Sequence, residues 1–232
     1  MASRIKSAQE SHNGEDLVAS LATEIKSMTE VKLDIQPIRT ERLCITIEGT
    51  TPLLVCAWSE KARNMILEKQ TGGKGFKTKE KKVPEVDYKN SLYTSLDGWT
   101  GIPAGGLKGC LVNACRAIDG LPMTMAKRIV FVVSQGQTSR GQSLVRVIGE
   151  HKMDESMVRI DNGKTADIRF RAIYPEWKIQ FDLDILANVI TPVQAVNLVN
   201  LAGFIEGLCE HRPGAPKSNT GNNGRFRVVN NN

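Results

Sequence analysis

Residues 177–185 place the strongest constraint on what this chain can fold into. Trp177, Ile179, Phe181, Leu183 and Ile185 alternate with Lys178, Gln180, Asp182 and Asp184. A period of two sustained over that length marks a strand with one apolar face and one polar face. Residues 41–48 repeat the pattern, with Leu43, Ile45 and Ile47 set against Arg42, Thr46 and Glu48. Two such strands call for a sheet with a core on one side, so the rest of the chain is read for what covers it.

Two helices are predicted for that role. Thr191 is a cap with Pro192 at the first helical position, and Val193, Val196, Leu198, Val199, Leu201 and Ile205 form a stripe in a helix running to about 209. A second helix occupies 105–118. The solid apolar run 129–133 reads as a central strand, and Phe226 and Val228 as a last strand. The resulting order, strand, helix, strand, strand, helix, strand, is β-α-β-β-α-β. The fold class expected is therefore α+β, with a ferredoxin-like or RRM-like core and two large insertions at about 50–100 and 134–175. The insertions hold a helix at 59–70 capped by Ser59, an exposed loop at 71–90, a short strand at 92–99 closing on Asp97-Gly98, and strands at 144–148, 157–160 and 168–172. Asp161-Asn162-Gly163 signals a hairpin. Residues 1–15 read as a polar arm, 16–229 as one domain opening with a helix over 16–28, and 230–232 as a frayed tail.

A length of 232 residues with 41% apolar content is enough for a core, and the net charge of +6 permits a polyanionic partner. The five cysteines, Cys44, Cys56, Cys110, Cys115 and Cys209, include no Cys-x-x-Cys pair. They are expected to be free thiols, those in apolar runs buried, in a reducing cytoplasm. Residues 1–20 lack the apolar core of a signal peptide, and no run is long and apolar enough for a membrane span.

Function is sought in two glycine-bearing segments. The first is Ile102-Pro103-Ala104-Gly105-Gly106-Leu107-Lys108-Gly109, leading into the helix. It is not a Walker A loop, since Gly-Lys-Ser/Thr is missing. Two accounts fit it: amides of Gly105 and Gly106 with Lys108 on a phosphate, or a glycine turn packed tightly beside a strand. The second segment is the Gly/Pro/Asn-rich stretch 203–228, where Arg212, Lys217, Arg225 and Arg227 cluster. Alternation sets Arg225 and Arg227 opposite Phe226, and Arg169 and Arg171 repeat that pattern around Phe170. Arg116, on the first core helix, is placed at the same groove. Lys74, Lys77, Lys79, Lys81 and Lys82 surround Phe76 in the loop 71–90. That pairing of basic residues with an exposed aromatic suits a single strand of nucleic acid, although a solvated loop accounts for the lysines equally. Trp58, Tyr88 and Tyr93 are expected in or near the core. No nucleophile with an adjacent base, no metal site and no cofactor site is found: His12, His151 and His211 take no catalytic role, and Cys209 with His211 is too little for a metal.

The Ile-Pro-Ala-Gly-Gly-Leu-Lys-Gly segment at the first core helix, and the glycine loop of Gly214, Gly221 and Gly224 followed by Arg225-Phe226, resemble the RAMP superfamily. Within it, they are similar to Cas7-like backbone proteins of CRISPR effector complexes; the Arg212-Pro213 step also resembles small bacteriophage proteins. The chain departs from the family in having Ala104 and Gly105-Gly106 where a serine pair is usual, and in a longer, Asn-rich C-terminal loop. The resemblance implies a non-catalytic single-stranded RNA-binding protein that assembles as a homo-oligomer along the strand, in the cytoplasm of a phage host. A single-stranded DNA binding or annealing protein, a structural assembly protein and a nuclease with unrecognised acid–base residues are the alternatives.

Overall fold

The structure is a computed structural model that describes residues 37–58, 60–72, 82–160, 165–216 and 218–229. The expected helix at 16–28, both termini, the Ser59 cap, Lys74, Phe76, Lys77, Lys79, Lys81, Lys217 and the turn Asp161-Asn162-Gly163 lie outside these residues. The chain divides into two compact units, Met1–Pro37 and Ile38–Asn232, and the elements described are those of the second.

The protein is α+β. Its principal sheet is antiparallel, with β1 (Thr40–Gly49), β5 (Val130–Val132), β10 (Lys178–Leu186) and β11 (Phe226–Val228) in the order β11-β1-β10-β5. β1 and β10 pair with Leu43 opposite Leu183, Ile45 opposite Phe181 and Ile47 opposite Ile179. Because the two alternations are in register, both apolar sets share one face, and a slip of one residue would expose both. Ile45, Ile47, Ile179, Phe181, Leu183 and Ile185 are all buried. Two helices cover that face: α3 (Ala104–Ala114), through Leu107 and Leu111, and α5 (Pro192–Ile205), through Leu198, Val199 and Ala202. A reciprocal capping box starts α5: the Gln194 amide donates to Thr191 Oγ1 at 3.3 Å, and the Thr191 amide to Gln194 Oε1 at 2.9 Å. The opposite face of the sheet is knitted by ion pairs, Arg42 with Asp184 at 2.6 Å, and Lys178 and Arg227 with Glu48 at 3.4 and 3.6 Å.

The insertions pair with each other. One sheet joins β2 (Leu53–Val55), β9 (Thr165–Tyr174) and β8 (Lys152–Ile160) in the order β2-β9-β8. The other orders β3 (Tyr93–Thr94), β4 (Thr100–Pro103), β7 (Ser143–Arg146) and β6 (Gly136–Gln137) as β3-β4-β7-β6. Two further helices are α1 (Glu60–Gln70) and α2 (Pro84–Asn90), and α4 (Met123–Ile129) runs directly into β5. Leu53 lies opposite Tyr174, so β2 and β9 place residues 53–58 beside the C-terminal part of β9.

Several expectations are corrected. The apolar run at 129–133 is not a central strand: it is split between the end of α4 and the edge strand β5, where Phe131 is exposed. Run length reports burial of part of a segment, not its place in a sheet. Residues 71–90 are not all loop, since Pro84 opens α2 with Glu85 and Asp87 in its first turn. α5 ends at Ile205, because Gly207 takes φ +68° and folds its amide back to the Ala202 carbonyl at 3.0 Å. Cys44 is exposed on the polar face of β1, whereas Cys110 and Cys115 are buried. Trp58 is not in the core but 57% exposed.

Candidate nucleic-acid interface

α3 begins without a side-chain cap. Pro103 ends β4 and serves as N-cap, so Ala104, Gly105 and Gly106 make a first turn whose amides have no side-chain partner from the cap. A Cβ placed on Gly105 or Gly109 would meet nothing within 4 Å, and one on Gly106 would approach only the Pro103 Cβ, at 3.9 Å. Glycine in a helix costs about 1 kcal/mol relative to alanine. Three glycines that no neighbour requires therefore hold open a strip of bare backbone.

That strip forms one wall of a cleft of about 310 Å³. Gly106, Gly109, Cys110 and Asn113 stand on the α3 side, Arg212 and residues 207–210 face them, and Cys56 and Tyr93 contribute to the lining. The two glycine segments thus meet in one place. The facing segment is tightly determined: the Leu208 amide donates to the Gly224 carbonyl at 2.9 Å, the Glu210 amide to Leu54 at 3.0 Å, and Arg212 Nη1 to Cys209 at 2.8 Å. Within it Cys209 and His211, at φ 61° and 53°, are the non-glycine residues of positive φ among the described residues. Such conformations persist where surrounding bonds over-determine them and gather at ligand sites.

The glycines of this C-terminal segment have a different cause. A Cβ on Gly214 would fall 2.0 Å from Glu206 Oε2, one on Gly221 2.2 Å from the Arg212 carbonyl oxygen, and one on Gly224 2.0 Å from the Leu208 carbonyl oxygen. Close packing explains these three. It does not explain Gly105, Gly106 and Gly109.

Arg212 brings a positive charge to the cleft and Glu210 a negative one. The remaining polar walls are neutral. Burial pushes the Cys110 and Cys209 thiols up to about 12, and the Tyr93 phenol also to about 12, with nearby Glu206 or Glu210 adding to each. Burial raises Cys56 in the same direction.

The other expected site residues are dispersed. Lys108 projects over the Phe131 ring, its Nζ 3.9 Å from the centroid, and burial holds its ammonium below the ordinary value. Arg116 does not share the cleft: at about 1.5 Å rise per residue it stands roughly 15 Å from Gly106, with its Nε 3.2 Å from Met123 Sδ. Arg225 lies over the Phe204 ring at 4.6 Å, and Arg227 is exposed beside Glu48. Arg171 is not on an exposed face, being 2% exposed, because β2 and the segment carrying Glu210 cover that end of β9. Arg169 is exposed, and it lines a second depression with Lys82 and Arg171. His151 Nδ1 lies 2.6 Å from the Tyr88 hydroxyl and its ring packs on Tyr174. Among the described residues no group of three His, Cys, Asp or Glu side chains is placed to hold a metal.

Cys56, Tyr93, Asn113 and Glu210 line the cleft although sequence reasoning did not single them out. The bridge between Leu54 and Glu210 brings the first and last of these together, and no local pattern announces so distant a pairing. Comparison with protein-family models finds no match, and neither does comparison with curated proteins. Among the described residues no helix is long and apolar enough to cross a membrane.

Proposed function

We propose that this chain binds single-stranded RNA without cleaving it, the sugar–phosphate backbone lying along the glycine strip of α3. The observation that carries the reading is that Gly105, Gly106 and Gly109 are open and unneeded for packing, and that Gly106 and Gly109 line one cleft with Arg212. Bare amides at a helix start favour phosphate, and glycine lets a backbone approach closely. Contacts to phosphate fix position and carry little sequence information, so weak sequence preference is expected. The chain order β1-α3-β5-β10-α5-β11 and the sheet order β11-β1-β10-β5 support a ferredoxin-like core. That core, with the glycine segment at the start of α3, is consistent with the Cas7-like resemblance, and it is that resemblance which implies a cytoplasmic, phage-encoded role and assembly as a homo-oligomer along the strand. The polar face of the sheet is a poorer track than the cleft, since its Arg42, Lys178 and Arg227 are paired with carboxylates.

The test is the salt dependence of binding to an RNA 30-mer, with a DNA 30-mer beside it. Neutralising about five phosphates gives a log–log slope of roughly −3.5 on a single strand. A flat response, or no binding at low salt, overturns the reading. Equal or tighter binding of DNA moves it to single-stranded DNA, because only contacts with the 2′-hydroxyl distinguish the two.

A further inference from the structure

Beside the α3 cleft lies a second depression, of about 210 Å³, walled by Cys56 and Ala57, by Asp87 and Asn90 of α2 with Ser91 just after it, and by Asp167–Arg171 of β9. Cys56 lines both hollows, so they share a wall. Two observations in this second hollow, and one on the residue next to its wall, call for a ligand. Arg171 is permanently charged, yet its side chain is 3% exposed, its ion pair with Glu210 is long at 3.5 Å, Asp154 stands opposite it on β8, and its Nε has no hydrogen-bond partner. Its one short bond, from Nη2 to the Ser156 hydroxyl at 2.6 Å, brings no opposite charge. Arg169, two residues earlier on the same face of β9, is exposed, and its guanidinium makes no hydrogen bond or ion pair with the described residues. Trp58, next in sequence to the wall residue Ala57, is 57% exposed, whereas Trp177 is buried and Trp99 is partly buried against Gly101 and Gly136.

We propose that this depression is a nucleotide subsite continuous with the α3 cleft, in which Arg169 above the buried Arg171 takes a phosphate and the Trp58 indole stacks on the base of that nucleotide. The proposal rests on the single-strand reading and adds to it a place for the base. Lys82 does not supply the charge, since its ammonium is held by Asp167 at 2.6 Å and by the Ile168 carbonyl. Asp167 is thereby neutralised, which leaves Asp87 as the opposing carboxylate on the α2 wall. A basic floor with an aromatic at its rim is the arrangement by which proteins hold single strands irrespective of sequence, because every base has a face to stack.

The experiment uses the full chain and an oligoadenylate 12-mer, followed by tryptophan emission and by an independent affinity measurement. Binding is expected to quench the wild-type emission. Trp58→Phe keeps most of the affinity and loses the quench; Trp58→Ala weakens binding on the order of tenfold, the scale of one stacked base. Arg169→Gln makes the salt slope shallower by about 0.7, the contribution of one phosphate on a single strand. Both positions are exposed, so melting temperatures stay near wild type and a loss of affinity is not a loss of fold. If the 12-mer binds but neither quenches Trp58 nor responds to these substitutions, the subsite is wrong while the cleft reading stands. If it does not bind wild type at all, both fall.

Discussion

Leu208 and Gly224 lie so close that the amide of one donates to the carbonyl of the other at 2.9 Å, while a Cβ on Gly224 would stand 2.0 Å from the Leu208 carbonyl oxygen. This contact ties the segment behind α5 to the start of β11 and holds one wall of the cleft. Gly224 also takes φ +68°, where an L side chain is disfavoured. Gly224→Ala is therefore expected to lower stability by about 1–3 kcal/mol, the range for a residue forced into such a conformation. Chemical denaturation measures it; a midpoint equal to wild type would mean that the segment relaxes at no cost.

The α3 glycines predict the opposite sign. Gly105→Ala and Gly109→Ala add a Cβ into open space. Each should raise stability, by up to about 1 kcal/mol, while weakening RNA binding by pushing the backbone away from Gly106. Melting temperature and RNA affinity measured on the same preparations check both halves. A variant that is more stable and binds as well as wild type would show that the strip is not a contact surface.

Alternation was a reliable guide where it reported on local geometry. Leu43 to Ile47 and Ile179 to Ile185 face the core as their period requires, and Thr191-Pro192 with Gln194 announces the start of α5. What the pattern omits is the partner of each face. Arg171 follows Arg169 at the strand period, yet one is buried and the other exposed, because β2 and the Glu210 segment cover only one end of β9. Phe131 sits in an apolar run but at the sheet edge, where Lys108 reaches over it. Both glycine segments were conspicuous in the sequence. Their meeting depends on α3 packing against α5, where Cys110 Sγ lies 3.6 Å from the Ala202 carbonyl oxygen, a contact set by tertiary packing. The ending of α5 was more legible than the stripe of apolar residues suggested, since Gly207 is a C-terminal capping residue in plain view.

Alkaline pH should destabilise the protein. Folding raises the Cys110, Cys209 and Tyr93 values to about 12, and raises Cys56. In the unfolded chain the same thiols ionise near 8.5 and the phenol near 10. Between those values and 12 the unfolded state has lost protons that the native state keeps, so stability falls as pH rises. The contribution is fully present below about pH 8.5. The melting temperature should decline steadily from pH 9 to 11, and less steeply in a Cys110→Ala, Cys209→Ala double variant. A flat profile over that range contradicts the burial of these groups.

The proposed assembly along RNA makes a prediction about the hairpin of β8 and β9. β8 is the outer strand of its sheet, and Met157, paired across the hairpin with Ile168, is 65% exposed with Ile168 at 47% and Met153, on the same face, at 38%. An exposed apolar stripe beside a strand edge that no described strand pairs suits contact with a neighbouring copy. Head-to-tail contacts of this kind need not close into a ring, so particle size should grow with RNA length. Met157→Glu is expected to leave binding to an RNA just long enough for one protein molecule unchanged, and to abolish cooperative binding to longer RNA. Light scattering over a series of RNA lengths reads the first property, and titration with short and long RNA the second. If wild type binds one molecule per RNA at every length, assembly along the strand is wrong whatever the hairpin does. If wild type assembles and the variant does so equally, the neighbours meet through another surface.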